Sequence, residues 1–321
     1  MSIVKSFSFA DPNANIRGDM FYIQHDSKNF TVIDCFLKDE GEVNGRKAEI
    51  INEIRSNSEG TICRFISTHP DNDHILGIED LDKQWPIINF YAVENSRPRQ
   101  DDNPSLDKYM ELKKVRNFAI KRGIKRKWLN CNSDENGSSN IDFLWPVTNN
   151  IKFMKELEKV AKGESPNNIS CAFTYTAPNG AVYMWMGDME SDMQEEFYNT
   201  CGDNLPRVDV LFHPHHGRNS GALPDALLKK LKPRIIVIGN APSNQLNYMN
   251  SYDTITQNTA GDIEFVNEGD CIHIYTSKGY CKDFSHISKE KLLLWKQLTT
   301  SRDYRFYGWN YFGSISSSRL N

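Results

Sequence analysis

Residues 61–74 read TICRFISTHPDNDH and decide the fold of this chain. The segment 61–68 is rich in β-forming residues and predicts a buried strand. Directly after this strand come four candidate metal ligands within six positions, namely His69, Asp71, Asp73 and His74. Two aspartates this close repel each other unless the loop surrounds a positive group, and a divalent cation is the simplest such group. The alternative is an acidic turn in which Asp73 caps the next helix.

Two later strands end in the same kinds of side chain. Residues 181–188, AVYMWMGD, form an apolar strand that delivers Asp188 at its end. Residues 208–217, VDVLFHPHHG, run out into the histidines at positions 213, 215 and 216. Ligand sites in layered α/β folds gather at the ends of strands. The three strand ends therefore predict one shared site.

The composition is that of a globular protein. The 321 residues include 38 basic and 42 acidic side chains, a formal charge of −4, and 39% of them are hydrophobic. Helical and strand-like segments lie in two strand-rich halves, which predicts a layered α/β protein. No run approaches the roughly 20 apolar residues of a membrane helix, and the N-terminus has no apolar run of signal-peptide length. Seven scattered cysteines without a CxxC pair favour reduced thiols, so we expect a cytoplasmic protein.

Three motifs together carry a family resemblance: His69-x-Asp71-x-Asp73-His74, then Gly187-Asp188, then His215-His216-Gly217. This combination resembles the metallo-β-lactamase superfamily, and within it the hydrolase domain of ComEC-type DNA-uptake proteins and their soluble relatives. The resemblance implies a four-layer αββα sandwich over residues 1–285, with a basic helical insertion at about 97–140. A C-terminal helix and an aromatic tail are expected over 286–321.

The resemblance also implies two divalent cations, which would be zinc or manganese, or else magnesium. The expected ligands are His69 and Asp71 for one cation, Asp73, His74 and His216 for the other, and Asp188 as a bridge between them. A bridging water acidified by both cations would be the nucleophile.

Four residues are expected to act on this nucleophile or on the substrate. Asp73 would position the bridging hydroxide and partly accept its proton. His215 would contact the substrate or protonate the leaving oxygen, although the resemblance leaves open which of the paired histidines is the ligand. Asn168 and Ser170, which open a strand near the site, are expected to contact the substrate.

The sequence departs from the superfamily pattern in two places. Asp71 stands where the common pattern has a second histidine, and Asn168 stands near the place of another histidine that is missing. A carboxylate is a harder ligand than an imidazole, which favours manganese or magnesium over zinc. We therefore expect one cation to be held weakly or to arrive with the substrate. A degenerate, metal-free protein is the alternative.

A basic segment points to the substrate. Residues 113–128, KKVRNFAIKRGIKRKW, continue a helical pattern that starts at 105 and hold eight basic and no acidic side chains. Such a segment predicts an electrostatic footprint for a phosphate backbone, with DNA favoured as the partner. The expected contacts are Lys121, Arg122, Lys125, Arg126 and Lys127. The alternative is a solvated helix whose lysines balance neighbouring acids.

These features favour a metal-dependent phosphodiesterase, and most of all a nuclease. One alternative is a small-molecule ester or lactone hydrolase of the same fold, which needs an enclosed pocket in place of a basic channel. Another is an effector subunit of a larger defence or competence assembly that docks through the C-terminal tail. Six aromatic residues stand between positions 304 and 312 of that tail, and they would also suit a homodimer interface.

Overall fold

Two β-sheets carry the fold, and the computed structural model describes residues 1–9, 17–38, 45–249, 251–278 and 310–316. In spatial order, the nine-stranded sheet consists of β16 (Asn310–Ser316), β15 (Cys271–Thr276), β14 (Ile263–Glu268), β1 (Ser2–Ser6), β2 (Phe21–Gln24), β3 (Asn29–Ile33), β5 (Ile62–Ile66), β6 (Asn89–Ala92) and β7 (Asn117–Ala119). The six-stranded sheet consists of β13 (Thr254–Thr256), β12 (Ile235–Ile238), β11 (Val210–Phe212), β10 (Val182–Trp185), β9 (Ala172–Thr176) and β8 (Ile141–Trp145). A two-residue strand, β4 (Cys35–Phe36), follows β3.

Helices cover the outer face of each sheet. The helices are α1 (Arg46–Asn57), α2 (Asn72–Ile75), α3 (Ile78–Gln84), α4 (Pro104–Arg116), α5 (Ile151–Ala161), α6 (Ser191–Cys201), α7 (Asp225–Leu231) and α8 (Gln257–Ala260). Tyr109 of α4 packs edge-on against Phe90 of β6, with ring centroids 5.5 Å apart. On the other side of the molecule, Phe153 of α5 packs against Trp145 of β8 at 5.5 Å.

The inner faces of the two sheets share one hydrophobic core. Phe21 of β2 lies 4.9 Å from Phe212 of β11 and 6.1 Å from Trp185 of β10, measured between ring centroids. Ile33 and Ile66 of the nine-stranded sheet are fully buried in the same core. The layers are therefore helix, sheet, sheet and helix. The prediction of a four-layer αββα sandwich is confirmed.

Parallel strands bring the predicted strand ends together. β3, β5, β6 and β7 run parallel to one another, and so do β10, β11, β12 and β13. Parallel neighbours release their following loops at the same edge of a sheet. Two backbone hydrogen bonds join the loops there: the Cys171 N–H donates to the Thr68 carbonyl, and the His215 N–H donates to the Gly187 carbonyl, both at 3.0 Å.

Local patterns predicted some elements well and one badly. The sequence of residues 46–57 predicts a helix, which is α1 within the same bounds. The β-rich segments 20–24 and 30–36 predict a hairpin, which is β2 and β3. The helix predicted over 105–128 ends at Arg116, so the expectation of a helical basic insertion is wrong beyond that residue. Val115 is 62% exposed, which leaves the end of the helix without apolar contact. Phe118 instead joins the sheet edge on β7, where its ring lies 5.0 Å from that of Tyr91.

Most of the predicted C-terminal region, including the helix predicted near 287–300 and the boundary at 285, lies outside the described residues. Its described part, β16, pairs antiparallel with β15. None of the six cysteines in the described part of the chain is in a disulfide. Within the described ranges, no helix has both the length and the apolar character needed to cross a membrane.

Candidate metal centre

His74 is held between two carboxylates. Asp34 follows β3 with a φ of 55°. Its carboxylate accepts hydrogen bonds from the Thr68 backbone N–H (2.7 Å) and hydroxyl (2.6 Å). The same carboxylate lies 2.8 Å from Nδ1 of His74, whose Nε2 lies 3.0 Å from Oδ1 of Asp188. Burial lowers the pKa of His74, but Asp188 and Asp34 outweigh this effect and raise it well above its usual value.

Asp188 stands at the end of β10 because Gly187 permits a close approach of two loops. Gly187 has a φ of 51°, and a Cβ there would meet Ser170 Oγ and Thr68 Cβ at 2.8 Å. The Asp188 N–H donates to the Ser170 hydroxyl at 3.0 Å. Burial opposes ionisation of Asp188, but His216 and His74 outweigh it and hold the pKa well below its ordinary value.

His216 mirrors His74 on the other side of Asp188. Its Nδ1 lies 3.2 Å from Oδ1 of Asp19, and its Nε2 lies 3.3 Å from both Asp188 Oδ2 and Asp73 Oδ2. A histidine that ligates a metal commonly gives its other ring nitrogen to a carboxylate, which fixes its orientation. Two such carboxylate–histidine pairs therefore point at Asp188.

These side chains fit a divalent cation. Oxygen or nitrogen atoms of Asp19, His74, Asp188 and His216 all lie within 4.8 Å of one another. Within the described residues, four buried atoms near Asp188 have no hydrogen-bond partner: Nε2 of His69, of His74 and of His216, and Oδ1 of Asp188 itself. A buried polar atom without a partner is costly, and one cation would satisfy several of them at once. The donor set of imidazole nitrogens and carboxylate oxygens is one that divalent metal ions bind in proteins.

The predicted ligands of the 69–74 loop divide into two groups. His69 stacks on His74 with ring centroids 4.1 Å apart, and Asp73 contacts His216. The contacts of Asp71 are different: it caps α2 through the Asn72 N–H (3.1 Å), and its carboxylate lies 3.2 Å from Nη2 of Arg97. The acidic cap considered from the sequence is therefore present, but Asp71 provides it and Asp73 does not.

A cleft of about 570 Å³ opens beside the cluster. The side chains on its walls are Arg17, Phe36, Lys38, Asp71, Asn72, Asp73, Leu76, Ser165, Asn167, Asp188, His215 and Arg218. Nε of Arg17 lies 3.4 Å from Asp73 Oδ2, and Nη1 of Arg218 lies 3.4 Å from Nε2 of His215. Two of the basic side chains on the rim are thus attached to the candidate site.

His215 faces the cleft, whereas His216 belongs to the cluster. Nδ1 of His215 lies 2.9 Å from the Ser220 hydroxyl, and its Nε2 lies 3.6 Å from Asp188 Oδ2. Burial lowers the pKa of His215.

The two polar residues expected at the substrate both contact groups around Asp188 in the structure. The Asn168 side chain accepts a hydrogen bond from the Glu190 backbone N–H at 3.1 Å and donates one to the Glu190 carboxylate at 3.2 Å. Ser170 is buried and accepts the Asp188 N–H. Neither belongs to the walls of the cleft, where Ser165 and Asn167 stand instead. Asn168 and Ser170 therefore fix the backbone around Asp188.

The predicted basic contacts lie on the loop after β7, outside the cleft walls. Lys121, Arg122, Lys125 and Lys127 are exposed. The guanidinium of Arg126 lies 3.5 Å from the centre of the Phe118 ring, and Lys125 pairs with Asp142 at 3.0 Å. Because β5 and β7 are parallel and separated by one strand, this loop leaves the same sheet edge as the His69 loop, about 10 Å away across the sheet.

Five residues of the site were not predicted from the sequence as functional: Asp19, Arg17, Lys38, Arg97 and Arg218. Arg218 directly follows the His-His-Gly motif, and this adjacency was a usable signal. The others carry none, because their roles depend on long-range contacts. Asp19, for example, is 197 positions from His216 in the chain.

No protein-family model and no curated protein matches the chain. Solved structures with a similar backbone include the diiron β-hydroxylase CmlA from Streptomyces venezuelae, with 10% identity and a TM-score of 0.42 over 78% of this chain and 48% of that one. A mutant of CmlA gives 9% identity and a TM-score of 0.44 over 75% and 46%. A metallo-β-lactamase from Cronobacter sakazakii gives 12% identity and a TM-score of 0.32 over 67% and 84%. The chain spans about half the length of the CmlA structures, and matches this weak determine no activity.

Proposed function

We propose that this protein is a metal-dependent hydrolase of phosphate esters, with a nucleic-acid phosphodiester as the favoured substrate. One observation carries the proposal. Around Asp188, three buried imidazole nitrogens and one oxygen of Asp188 itself have no hydrogen-bond partner in the described residues. Asp188 lines a cleft that also has three basic side chains on its walls.

The chain's own residues divide the work. Asp73, His74, Asp188 and His216 would hold one cation, and His69 with Asp188 would face a second. Divalent cations bound there would polarise a phosphoryl oxygen and make water nucleophilic at neutral pH. Asp34 and Asp19 hold Nδ1 of the two histidines, so that Nε2 of each faces Asp188. Asp73 would also orient the attacking water.

The rim would bind the anionic group. Arg17 and Arg218 are attached to Asp73 and His215, so their guanidinium groups are held near the reacting centre. Guanidinium groups suit phosphate because they donate paired hydrogen bonds. His215 would contact a substrate oxygen. The basic loop at 121–127 would extend the track for a longer polyanion along the same edge of the sheet.

A second candidate is a small-molecule phosphate ester or lactone hydrolase. The cleft of about 570 Å³ falls within the range of small-ligand sites, about 300–1,000 Å³. Docking as an effector subunit through the C-terminal tail remains a prediction, since most of that tail lies outside the described residues.

Cleavage assays on single- and double-stranded DNA with manganese, magnesium or zinc test the proposal. We expect metal-dependent cleavage that Asp188→Asn and His74→Ala abolish. Wild-type protein that is as inert as Asp188→Asn with every metal, on DNA and on a generic phosphodiester, would refute it.

Charge neutralisation separates the two candidates. Changing Lys121, Arg122 and Lys127 to glutamine should make double-stranded DNA binding less dependent on salt. The slope of log K against log salt concentration should fall in magnitude by about 2–3, because each phosphate that a basic side chain neutralises contributes about 0.9 to it. The matched control changes Lys155, Lys159 and Lys162, on and just after α5, to glutamine. Equal behaviour of both triple variants on DNA, with turnover of a small phosphodiester unchanged, would favour the small-molecule enzyme.

A further inference from the structure

Arg97 pairs with Asp71, a carboxylate of the 69–74 loop. It follows β6 and is only 9% exposed. Its Nη1 donates to the Pro70 carbonyl, and its Nη2 lies 3.2 Å from Oδ1 of Asp71. A guanidinium group is permanently charged, and a buried one such as that of Arg97 is costly without an ion partner. Asp71 therefore already has a cation, and the protein supplies it.

This pairing makes the centre asymmetric. Nε2 of His74 lies 3.0 Å from Asp188, and Nε2 of His216 lies 3.3 Å from both Asp188 and Asp73. Neither nitrogen has a hydrogen-bond partner in the described chain. Elsewhere around Asp188, Nε2 of His69 is another buried nitrogen without a hydrogen-bond partner in the described residues. Asp71 is bound to Arg97, and Asn168, the other residue expected there, is bound to Glu190.

From this we infer that the protein holds a single resident cation, and that Arg97 takes the place of the second one at Asp71. The inference rests on the proposed metal centre. A position with two protein ligands holds a divalent cation weakly and needs further oxygen atoms from water or a substrate phosphate. Arg97 is thus a positioning residue that sets the metal stoichiometry through Asp71.

Metal content measured after gel filtration, with Zn²⁺ or Mn²⁺ as the probe, tests the inference without any activity assay. We expect one equivalent for the wild type and for Asp71→Asn, whose amide oxygen can still cap α2 and accept from Arg97. Mn²⁺-loaded wild type should show the electron paramagnetic resonance spectrum of an isolated ion. Arg97→Met should gain a second equivalent, and Arg97→Met combined with Asp71→Asn should lose it again.

The outcomes are distinguishable. Two tightly held equivalents in the wild type, falling to one in Asp71→Asn, would overturn the inference and leave the proposed function intact. A folded Arg97→Met that still binds one equivalent would also overturn the role of Arg97. If Arg97→Met does not fold, the comparison of wild type with Asp71→Asn decides alone. No bound metal in the wild type would instead refute the proposed function.

Discussion

Replacing Asp34 with asparagine changes one carboxylate oxygen into an NH₂ group where three hydrogen bonds meet. Oδ1 accepts from the Thr68 N–H, and Oδ2 faces both the Thr68 hydroxyl and Nδ1 of His74. The Thr68 N–H can only donate, so the asparagine oxygen must keep that place and the NH₂ group must replace Oδ2. The hydroxyl can accept from this group. Nδ1 of His74 can do so only if its proton moves to Nε2, the atom that faces Asp188.

The expected cost falls on cation binding and spares the fold. A protonated Nε2 cannot ligate a metal, and changes to residues that orient metal ligands typically lower affinity by about 10- to 100-fold. At about 1.4 kcal/mol for each factor of ten, this is about 1.4–2.7 kcal/mol. The metal-free fold keeps all three hydrogen bonds, two of them with reversed polarity, and the protonated Nε2 still lies 3.0 Å from Asp188 Oδ1.

Competition with a coloured chelator measures zinc affinity, and thermal unfolding of the metal-free protein measures stability. Asp209→Asn is the matched control: Asp209 is buried, accepts the Val182 N–H at 2.8 Å, and precedes β11 at the end opposite the histidines. We expect weakened zinc binding for Asp34→Asn only, with similar melting temperatures for the two metal-free variants. Unchanged affinity for Asp34→Asn, or equal losses in both variants, would show that Asp34 does not set the His74 tautomer.

Three further predictions concern stability and protons. Gly187→Ala should destabilise the protein by about 2–5 kcal/mol, from a positive φ (about 1–2 kcal/mol) and a clash with Thr68 (about 1–3 kcal/mol). Gly180→Ala, at φ 83° with open space around it, should lose only the first part. Equal losses in urea unfolding would contradict the close approach at Gly187. Zinc binding at pH 7 should release up to about two protons. Burial lowers the pKa values of His74 and His216, but Asp188 and its neighbours outweigh burial and raise them, and a nitrogen must lose its proton to bind a metal. Equal heats of binding in two buffers of different ionisation enthalpy would contradict this prediction. Burial, with a contribution from Arg64, lowers the pKa of His25 well below its usual value. As the pH falls, the unfolded chain therefore binds a proton at His25 before the folded chain does. The stability that depends on His25 should be fully present above about pH 6.5 and fall by up to about 1.4 kcal/mol for each pH unit below it. His25→Gln should flatten that fall between pH 6.5 and 5.5 in urea titrations, and an unchanged slope would show that His25 does not titrate in this way.

The parts of the fold that followed from sequence are those governed by local pattern. The helix over 46–57 could be bounded because its apolar residues Ile50, Ile51 and Ile54 all face one core. The helix over 105–128 was predicted too long because the basic composition continues after Arg116, where the helix ends. Periodicity alone does not show which apolar residues pair into an edge strand of a sheet. Phe118 lies on β7 and not in the helix, and there its ring contacts that of Tyr91 on β6.

At the candidate site, residue types were predictable and their partners were not. His69, Asp73, His74, Asp188 and His216 stand together because strand ends meet at one edge of the sandwich, which the order of elements suggests. Asp71 belongs to the same motif, but its role depends on Arg97, 26 positions further along the chain. A motif states which ligands are available. It does not state which of them the fold has already neutralised.

The charges around the site show where a cation is needed. Asp71 faces Arg97 and Asp73 faces Arg17, so each has a permanently positive guanidinium partner. Asp188 differs, because its ion-pair partners in the described chain are all imidazoles. Those imidazoles are positive only while they carry protons, and a cation and those protons compete for the same nitrogen atoms. Asp188 is therefore the carboxylate whose neutralisation can pass from protons to metal, which is why the cation is expected there and not at Asp71.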